Sequence, residues 1–487
     1  MVAIYSRFGV GRFFIWVKRM NLFGRKTLYT SFEEITKDNI IEVLSLLTGD
    51  FAKNCTEINY LYDYYKGKQA ILNRTKELND YILNKIVENR FREVVDFHTR
   101  YLAGDAIKYS ANDQNYANDV DKLNDFCRLE GKETLDYDLV KWYNICGTAY
   151  RLILPKIQEE EDESPFYLAT LDPRCAGVAY TTKIPHTPKI CWYVTTETNG
   201  VQTWSVYAKN ASGNRFFEVR DNRVTRDDPY PLSELPIIEY PCGEDRMSNA
   251  EIVLPLCDAI NNLNSNRMDG IEQAIQTLLV LVNCKLPDGM TANDIKAMGL
   301  IELISNENKA SVEQLGTKLD QSNTQTLKED FLSAIRTIAS LPNTSDNSYS
   351  GGDNGLAVVY RNGWEGAYES AMGDQKNIDR PEYMAIRLML EICEGTGKLS
   401  IPIKAINIDY TRQHYENMAT KSQVLIAMLN NPKIHPKVAY EVSGLFYDPN
   451  KKFLEGMEWY KEQQANGTNE EVTEIEENNL TTTEETI

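Results

Sequence analysis

The longest regular pattern in the chain lies between Ser248 and Leu278. Ile252, Leu256, Ile260, Leu263, Ile271, Ile275 and Leu278 recur at spacings of three and four, with one gap between Asn264 and Gly270. That period predicts a single long helix with one apolar stripe, about 40 Å in length. Ser248 followed by Glu251 predicts a capping box at its start, and Pro255, in the first two turns, predicts a bend. Just before it, Leu235–Tyr240 predicts a short strand closed by Pro241. Asn261, Asn262, Asn264, Ser265, Asn266 and Asp269 are poor helix formers and are expected on an exposed face.

A second stripe, Leu327, Phe331, Ile335 and Ile338, opens at Thr326 with Glu329 three residues on and stops at Pro342. Between the two stripes, Thr277–Cys284 and Leu300–Ser305 predict strands around a short helix capped by Thr291 with Asp294. Two helices joined by a compact α/β insert predict a stalk carrying a head. Asn343–Tyr360, rich in Gly, Asn, Ser and Asp, predicts a surface loop. Its Gly351-Gly352 pair lacks the Lys-Ser or Lys-Thr of a phosphate loop.

Helices are also expected from Asp38 to Leu47, from Asn84 until Gly104, and from Leu135 to Ala149. In the second of these, His98 shares a face with Phe91, Val94 and Leu102, as a packed histidine rather than a ligand. Alternating runs between Phe166 and Arg220 predict strands separated by Pro and Gly turns, preceded by an exposed acidic run at Glu159–Glu163. Tyr383, Ile386, Leu390 and Cys393 mark another helix, and Ile406, Ile408 and Tyr410 a strand. Helices near Glu416–Asn430, Pro436–Phe446 and Lys452–Gln464 close the folded part.

Composition narrows the function classes. The 487 residues suit several domains, and 42% hydrophobic with 25% charged residues are those of a soluble globular protein. No apolar run approaches the ~20 residues of a membrane span. Nine scattered Cys without a C-x-x-C pair suggest free thiols in a reducing cytoplasm. The four His are not spaced for a metal. A net charge of −19 argues against a basic nucleic-acid binder, although a surface along which DNA slides would also avoid many phosphate-holding cations. Charge is concentrated at the ends. Residues 1–27 carry cations interleaved with Phe and Trp and no acid, an arm suited to an acidic partner, a membrane or nucleic acid, or equally to docking on its own body. Residues 463–487 hold seven Glu and no Lys or Arg, a solvated, disordered tail. No G-x-S-x-G, H-E-x-x-H, Walker lysine or His-Cys cluster is present. The chain is therefore expected not to be an enzyme and to need no cofactor.

The order of these parts resembles the portal proteins of tailed bacteriophages, of the type found in long-tailed phages of Gram-positive hosts. YYKGKQAILNR (Tyr64–Arg74), NKIVENRFREVVDFHTRYLAGDAIKY (Asn84–Tyr109), GTAYRLIL and LATLDPRCAGVAY are similar to successive family blocks. SELPIIEYP with the long helix after it, including Leu254-Pro255-Leu256, is the most specific match. YSGGDNGLAVVY resembles the family's tunnel-loop block, with Asp353 and Leu356 departing from it. INIDYTRQHYEN resembles the start of the last domain, but His414 and Tyr415 leave an expected proline missing.

The resemblance implies an α+β portal fold, with a mainly helical wing, stem and crown and small β-containing wing and clip subdomains. On this reading 1–37 is the basic arm, 38–245 the wing with its β-rich part at 166–220, and 246–276 a stem helix. Residues 277–325 are the clip, 326–342 the second stem helix, and 343–360 the tunnel loop. Residues 361–410 return to the wing, 411–464 form the crown, and 465–487 are the tail. Stem packing falls to Ile252, Leu256, Ile260, Leu263, Ile271, Ile275, Leu327, Phe331, Ile335 and Ile338. DNA contact in the tunnel falls to Ser345, Asn347, Ser348, Tyr349, Ser350, Gly351, Gly352, Asp353 and Asn354.

The family resemblance further implies a closed ring of about twelve subunits at one capsid vertex, passing double-stranded DNA. Its implied partners are the terminase large subunit, a head-completion adaptor, and the major capsid and scaffolding proteins, with no membrane. Assembly is expected in the host bacterial cytoplasm. Two other readings stand beside this one: another ring-forming minor capsid protein without DNA passage, and a cytoplasmic nucleic-acid-processing enzyme whose acids are assembled by folding.

Overall fold

The computed structural model describes residues 23–76, 81–156, 163–198, 200–275, 278–282, 284–285, 304–305, 311–315, 321–343, 363–410, 418–446, 449 and 452–463. Its helices are α1 (Ile40–Tyr65), α2 (Arg90–Ala103), α3 (Ala117–Leu129), α4 (Lys132–Cys146), α5 (Asn249–Ile252), α6 (Leu254–Ile275), α7 (Gln321–Ile338), α8 (Trp364–Gly395), α9 (Met418–Leu429) and α10 (Pro436–Ser443). Residues 452–463 are also helical. The architecture is mixed α+β, as the pattern predicts.

Two sheets, of six and three strands, carry most of the β structure. In the larger, β1 (Leu28–Thr30) runs parallel to β5 (Ala176–Thr181). An antiparallel meander continues through β6 (Pro188–Thr196), β7 (Gln202–Ala208), β8 (Arg215–Arg220) and β9 (Arg223–Pro229). Alternation along these strands sends Trp192, Val206 and Phe217 to one face, where Ile40, Val43 and Phe51 of α1 cover them. Val178, Cys191 and Tyr207 point to the other face. They meet Tyr150 and Ile237 of a three-stranded sheet ordered β10 (Ile237–Pro241), β3 (Thr148–Pro155), β4 (Phe166–Leu171). Gly147 turns α4 into β3 at φ +74°, and a Cβ there would lie 2.1 Å from the Arg246 carbonyl oxygen, so glycine alone fits.

The second core packs α3, α4 and α8 against β3, β4 and β10, with Leu139, Tyr143, Ile153, Ile386 and Met389 at its centre. Four charged side chains are buried within it. Lys132 Nζ lies 2.6 Å from Asp136 and 3.0 Å from Glu382, and Arg151 Nη2 lies 2.5 Å from the other Asp136 oxygen. Tyr109 and Tyr240 donate their hydroxyls to Glu382 at 2.7 and 2.6 Å. Two cations against two anions leave the cluster neutral, which is what allows it inside. A short ladder of β2 (Lys108–Ala111) with β15 (Ile406–Asp409) borders this core.

Several boundaries differ from the sequence expectation. The first helix runs on through the tyrosine-rich block to Tyr65, because Asn54, Ile58, Leu61 and Tyr64 keep its buried stripe in register. α3, β9 and the short β1 and β2 were not anticipated; α3 hides its three buried apolar residues, Val120, Leu123 and Cys127, in a polar stretch. Pro255 does not bend a continuous helix. The chain breaks at Val253, and Pro255 occupies the first turn of α6, where its missing N–H costs nothing. In the insert, β11 (Leu278–Val282) pairs with β14 (Ser311–Leu315), and β12 (Cys284–Lys285) with β13 (Ile304–Ser305). The helix expected after Thr291, most of the acidic run after Glu159 and the acidic tail lie outside the described residues.

Candidate functional site

The two predicted long helices pack on each other. Ile260 of α6 and Ile335 of α7 are buried in one apolar cluster with α1, α2 and α5, and Leu256 and Phe331 lie half-buried against it. Arg267 donates to Gln325 at 3.0 Å across the pair. Leu263 and Ile271 are half-buried, and Ile275 ends α6 with its side chain outside the described residues. Ile252, Leu327 and Ile338 depart from the expectation of a packed stripe. They are 46%, 42% and 51% exposed: α5 and the residue after it turn Ala250 and Val253 inward, and α7 and the residue after it turn Leu332, Ile335 and Ala339.

The amide-rich face of α6 is the larger correction. Asn262 and Asn266 are exposed as expected, but Asn264 is half-buried, Asn261 and Ser265 are fully buried and Asp269 nearly so. An extended segment lies along them. The backbone N–H of Asn84 donates to Asp269 at 2.8 Å, that of Ile86 to Ser265 Oγ at 3.0 Å, and that of Glu88 to Asn261 Oδ1 at 2.7 Å. Alternate residues of an extended chain thus meet side chains four apart on a helix. The two repeats nearly match, at roughly 6.7 Å for two extended residues and about 6 Å for four helical ones.

This contact explains why the helix expected from Asn84 begins only at Arg90. The N–H groups of Asn84, Ile86 and Glu88 are satisfied by α6, and Asn89 then caps α2 by accepting from the Arg92 N–H at 3.1 Å. Arg74 lies 2.9 Å from Asp269, and Lys76 is also paired with it. Burial would raise the Asp269 pKa, but Lys76, the Asn84 amides and Arg74 overcome it and hold it at about 2. Glu88 ties three helices together. It accepts from Asn264 of α6 at 2.6 Å and pairs with Lys328 of α7 at 2.8 Å and with Arg90 of α2 at 2.5 Å. Sequence reasoning missed Arg74, Lys76, Asn84 and Glu88 in this role, as it missed Gln69, whose side-chain oxygen accepts from the Asn261 amide. The signal lay in Asn261, Ser265 and Asp269, polar residues four apart on one helix face.

Only half of the predicted capping box forms. Ser248 Oγ accepts from the Glu251 N–H at 3.2 Å, but the Glu251 carboxylate turns to the arm, accepting from Arg25 at 2.7 Å and the Gly24 N–H at 3.1 Å. Burial raises the Glu251 pKa, and Arg25 offsets this only in part. Arg25 also pairs with Glu57 at 2.9 Å. The described part of the basic arm therefore docks on its own body; residues 1–22 lie outside the described residues.

The DNA-loop candidates Ser345–Asn354 likewise lie outside the described residues. The root of that loop is described. A Cβ on Gly363 would stand 3.9 Å from Leu341 O and from the Pro342 Cα, so the loop leaves and rejoins the body at one place. α2 holds both sides of the root. His98 Nε2–H donates to the Ala339 carbonyl at 2.8 Å, and Trp364 lies against Phe97 and Tyr101. His98 is buried and its pKa is lowered by that burial, so it is a packed neutral histidine, as the sequence suggests.

Residues 45–479, which include both long helices, the extended segment and the loop root, match the family described as "Phage portal protein, SPP1 Gp6-like". The chain belongs to the phage portal family. That family is structural rather than enzymatic. No curated protein matches the sequence. Among solved structures, the chain is similar to one from the neck of an empty GTA particle computed with C6 symmetry. The likeness has 11% identity and a TM-score of 0.44, and covers 73% of this portal-family chain and 90% of that one. Among the described residues, no helix is long and apolar enough to cross a membrane, and no group of three or more His, Cys, Asp or Glu could hold a metal ion.

Proposed function

We propose that this chain is the subunit of a ring of about twelve copies at one vertex of a phage capsid. The ring is the conduit through which double-stranded DNA is packaged and ejected. The observation that carries this reading is the portal-family match over residues 45–479. In it, α6 and α7 are the stem, the paired strands between them belong to the clip, and α9, α10 and the 452–463 helix belong to the crown. The two sheets with α1–α4 and α8 are the wing. The terminase large subunit docks on the clip during packaging and supplies the ATP hydrolysis, and a head-completion adaptor follows it. Major capsid and scaffolding proteins meet the wing, and assembly takes place in the host cytoplasm.

Physical features favour such a role. Each copy carries −19, and a channel wall poor in cations lets a polyanion advance without holding its phosphates. Ile252 on α5 and Leu327 and Ile338 on α7 are exposed and suit contact with adjacent copies. The buried polar row of α6 is already occupied by residues 84–88, so the wall facing DNA is drawn from other positions. Negative-stain microscopy of the purified full chain tests the reading: rings with an open centre are expected, and a compact monomer with nuclease activity would overturn it. Deleting residues 345–354 should leave rings intact and impair DNA packaging in an infected cell. Unimpaired packaging would remove the loop from the mechanism.

A further inference from the structure

α9 and α10 form a hairpin with a conspicuous lack of cover. The second half of α9, VLIAML, is apolar all round its axis, yet within the described chain only Leu425 is buried on it. Ile426 stands exposed on α9, and Val438 and Val442 on α10, the last 63% exposed. The 452–463 helix repeats the situation. Phe453 packs on Tyr440 of α10 at 5.7 Å between ring centroids, while Met457, Trp459 and Tyr460 face outward. A helix apolar on all sides belongs in an interior, and apolar surface of this density marks a contact face.

The charges around these patches indicate the occupant. Among the described residues the hairpin carries Lys421, which donates to the Gly444 carbonyl at 3.1 Å, the exposed Lys433 and Lys437, and one acid, Glu441. The 452–463 helix carries Glu455, Glu458 and Glu462 against Lys452 and Lys461, and Lys452 is already paired with Glu455. A duplex would require cations rather than exposed Val and Trp. The two patches instead complement each other, apolar to apolar and lysine to glutamate.

We propose that the hairpin patch of one copy receives the 452–463 helix of the adjacent copy. Each copy uses each patch once, so the contact is heterologous and is consumed when a ring closes. The inference rests on the ring reading above and adds to it a specific head-to-tail contact between named surfaces.

Two charge variants of the full chain test it, both on exposed residues. One is Glu458→Lys with Glu462→Lys; the other is Lys433→Glu with Lys437→Glu. Each alone places like charges across every contact, which is costly at an interface. Native mass spectrometry or sedimentation at low salt should show ring content falling about tenfold for each variant, with unchanged circular dichroism. An equimolar mixture should restore rings in which the variants alternate, because both kinds of contact then pair opposite charges. A contact within one chain cannot be rescued by mixing. Wild-type rings with both variants still forming rings, or a mixture that does not recover, would overturn the contact and leave the portal reading intact. A wild-type chain that forms no ring at any concentration would overturn the portal reading and the contact together.

Discussion

Glu382→Gln offers the sharpest test of the core. The side chain keeps its shape, but the buried cluster of Lys132, Asp136, Arg151 and Glu382 goes from neutral to one net positive charge. Removing one partner of a buried pair costs roughly 3–5 kcal/mol. A second route gives a similar figure. Burial alone would raise the Glu382 pKa; Lys132, Arg151 and the two tyrosine hydroxyls overcome it and hold it at about 2, against an ordinary 4.5. That depression corresponds to about 3 kcal/mol of folding free energy. A carboxylate held low in the folded state stabilises the protein above its unfolded pKa and loses that contribution as pH falls through the folded value.

Thermal and urea unfolding therefore have a defined expectation. At pH 7 Glu382→Gln lowers the midpoint by roughly 6–12 °C if a unit of about 150–250 residues melts together. Its deficit against wild type is constant above pH 5 and closes between about 4.5 and 2. Lys132→Met costs a similar amount alone. The double variant leaves the Arg151–Asp136 pair neutral, so it is more stable than the sum of the singles by about 2 kcal/mol or more. Additive single effects, or a deficit that persists at pH 2, would refute the reasoning.

Further outcomes follow from the same geometry. Asp269→Ala removes the acceptor for the Asn84 amides and the partner of Arg74 and Lys76; a cost of about 2–4 kcal/mol is expected, with hydrogen exchange accelerating first at residues 84–88. Gly147→Ala forces a left-handed φ on a residue whose Cβ has no room, and should destabilise by at least about 2 kcal/mol in the same unfolding assay. Burial lowers the His98 pKa, so the unfolded chain takes up the proton first; stability should fall as pH drops below 6.5 in wild type and less so in His98→Gln. Burial also pushes the Cys127 thiol up to about 12, so iodoacetamide at pH 8 should label it only after unfolding, as peptide mass mapping would show.

What could be read from the sequence was set by periodicity. All five strands between Phe166 and Arg220 were legible, because β-branched and aromatic runs broken by Pro and Gly turns mark a strand whichever sheet it joins, β4 entering the three-stranded sheet and β5–β8 the larger one. The pairing of the stripes on α6 and α7 was legible too, although Ile252, Leu327 and Ile338 lie outside the buried contact. α3 was not, since three buried side chains in thirteen residues give a weak signal. The buried ion cluster was beyond reach for a different reason. Lys132 and Asp136 are neighbours on one helix turn, but Arg151 and Glu382 reach them only through the packing of α8 on β3 and β10. Charged residues in a sequence look solvated until something supplies their partners.

The amide-rich face of α6 shows how a sound rule was applied to the wrong surface. Asn and Ser are poor helix formers, and poor formers off the apolar stripe are normally left to water. Yet Asn261, Ser265 and Asp269 repeat at intervals of four, a spacing that identifies a packed stripe when the residues are Leu or Ile. A helix that needed only solubility on that side would carry Lys, Glu and Gln, which cost less helical propensity. Short side chains with acceptor oxygens at fixed spacing serve another backbone, because they bring that chain close and can accept its N–H groups. The segment they hold has no helix of its own between Asn84 and Glu88, and its alternate amides find those oxygens at 2.7–3.0 Å. Helical periodicity in Asn, Ser and Asp is thus evidence for a docked extended chain. In this portal-family protein it fixes α6 on two sides, by apolar packing against α7 and by hydrogen bonds to residues 84–88.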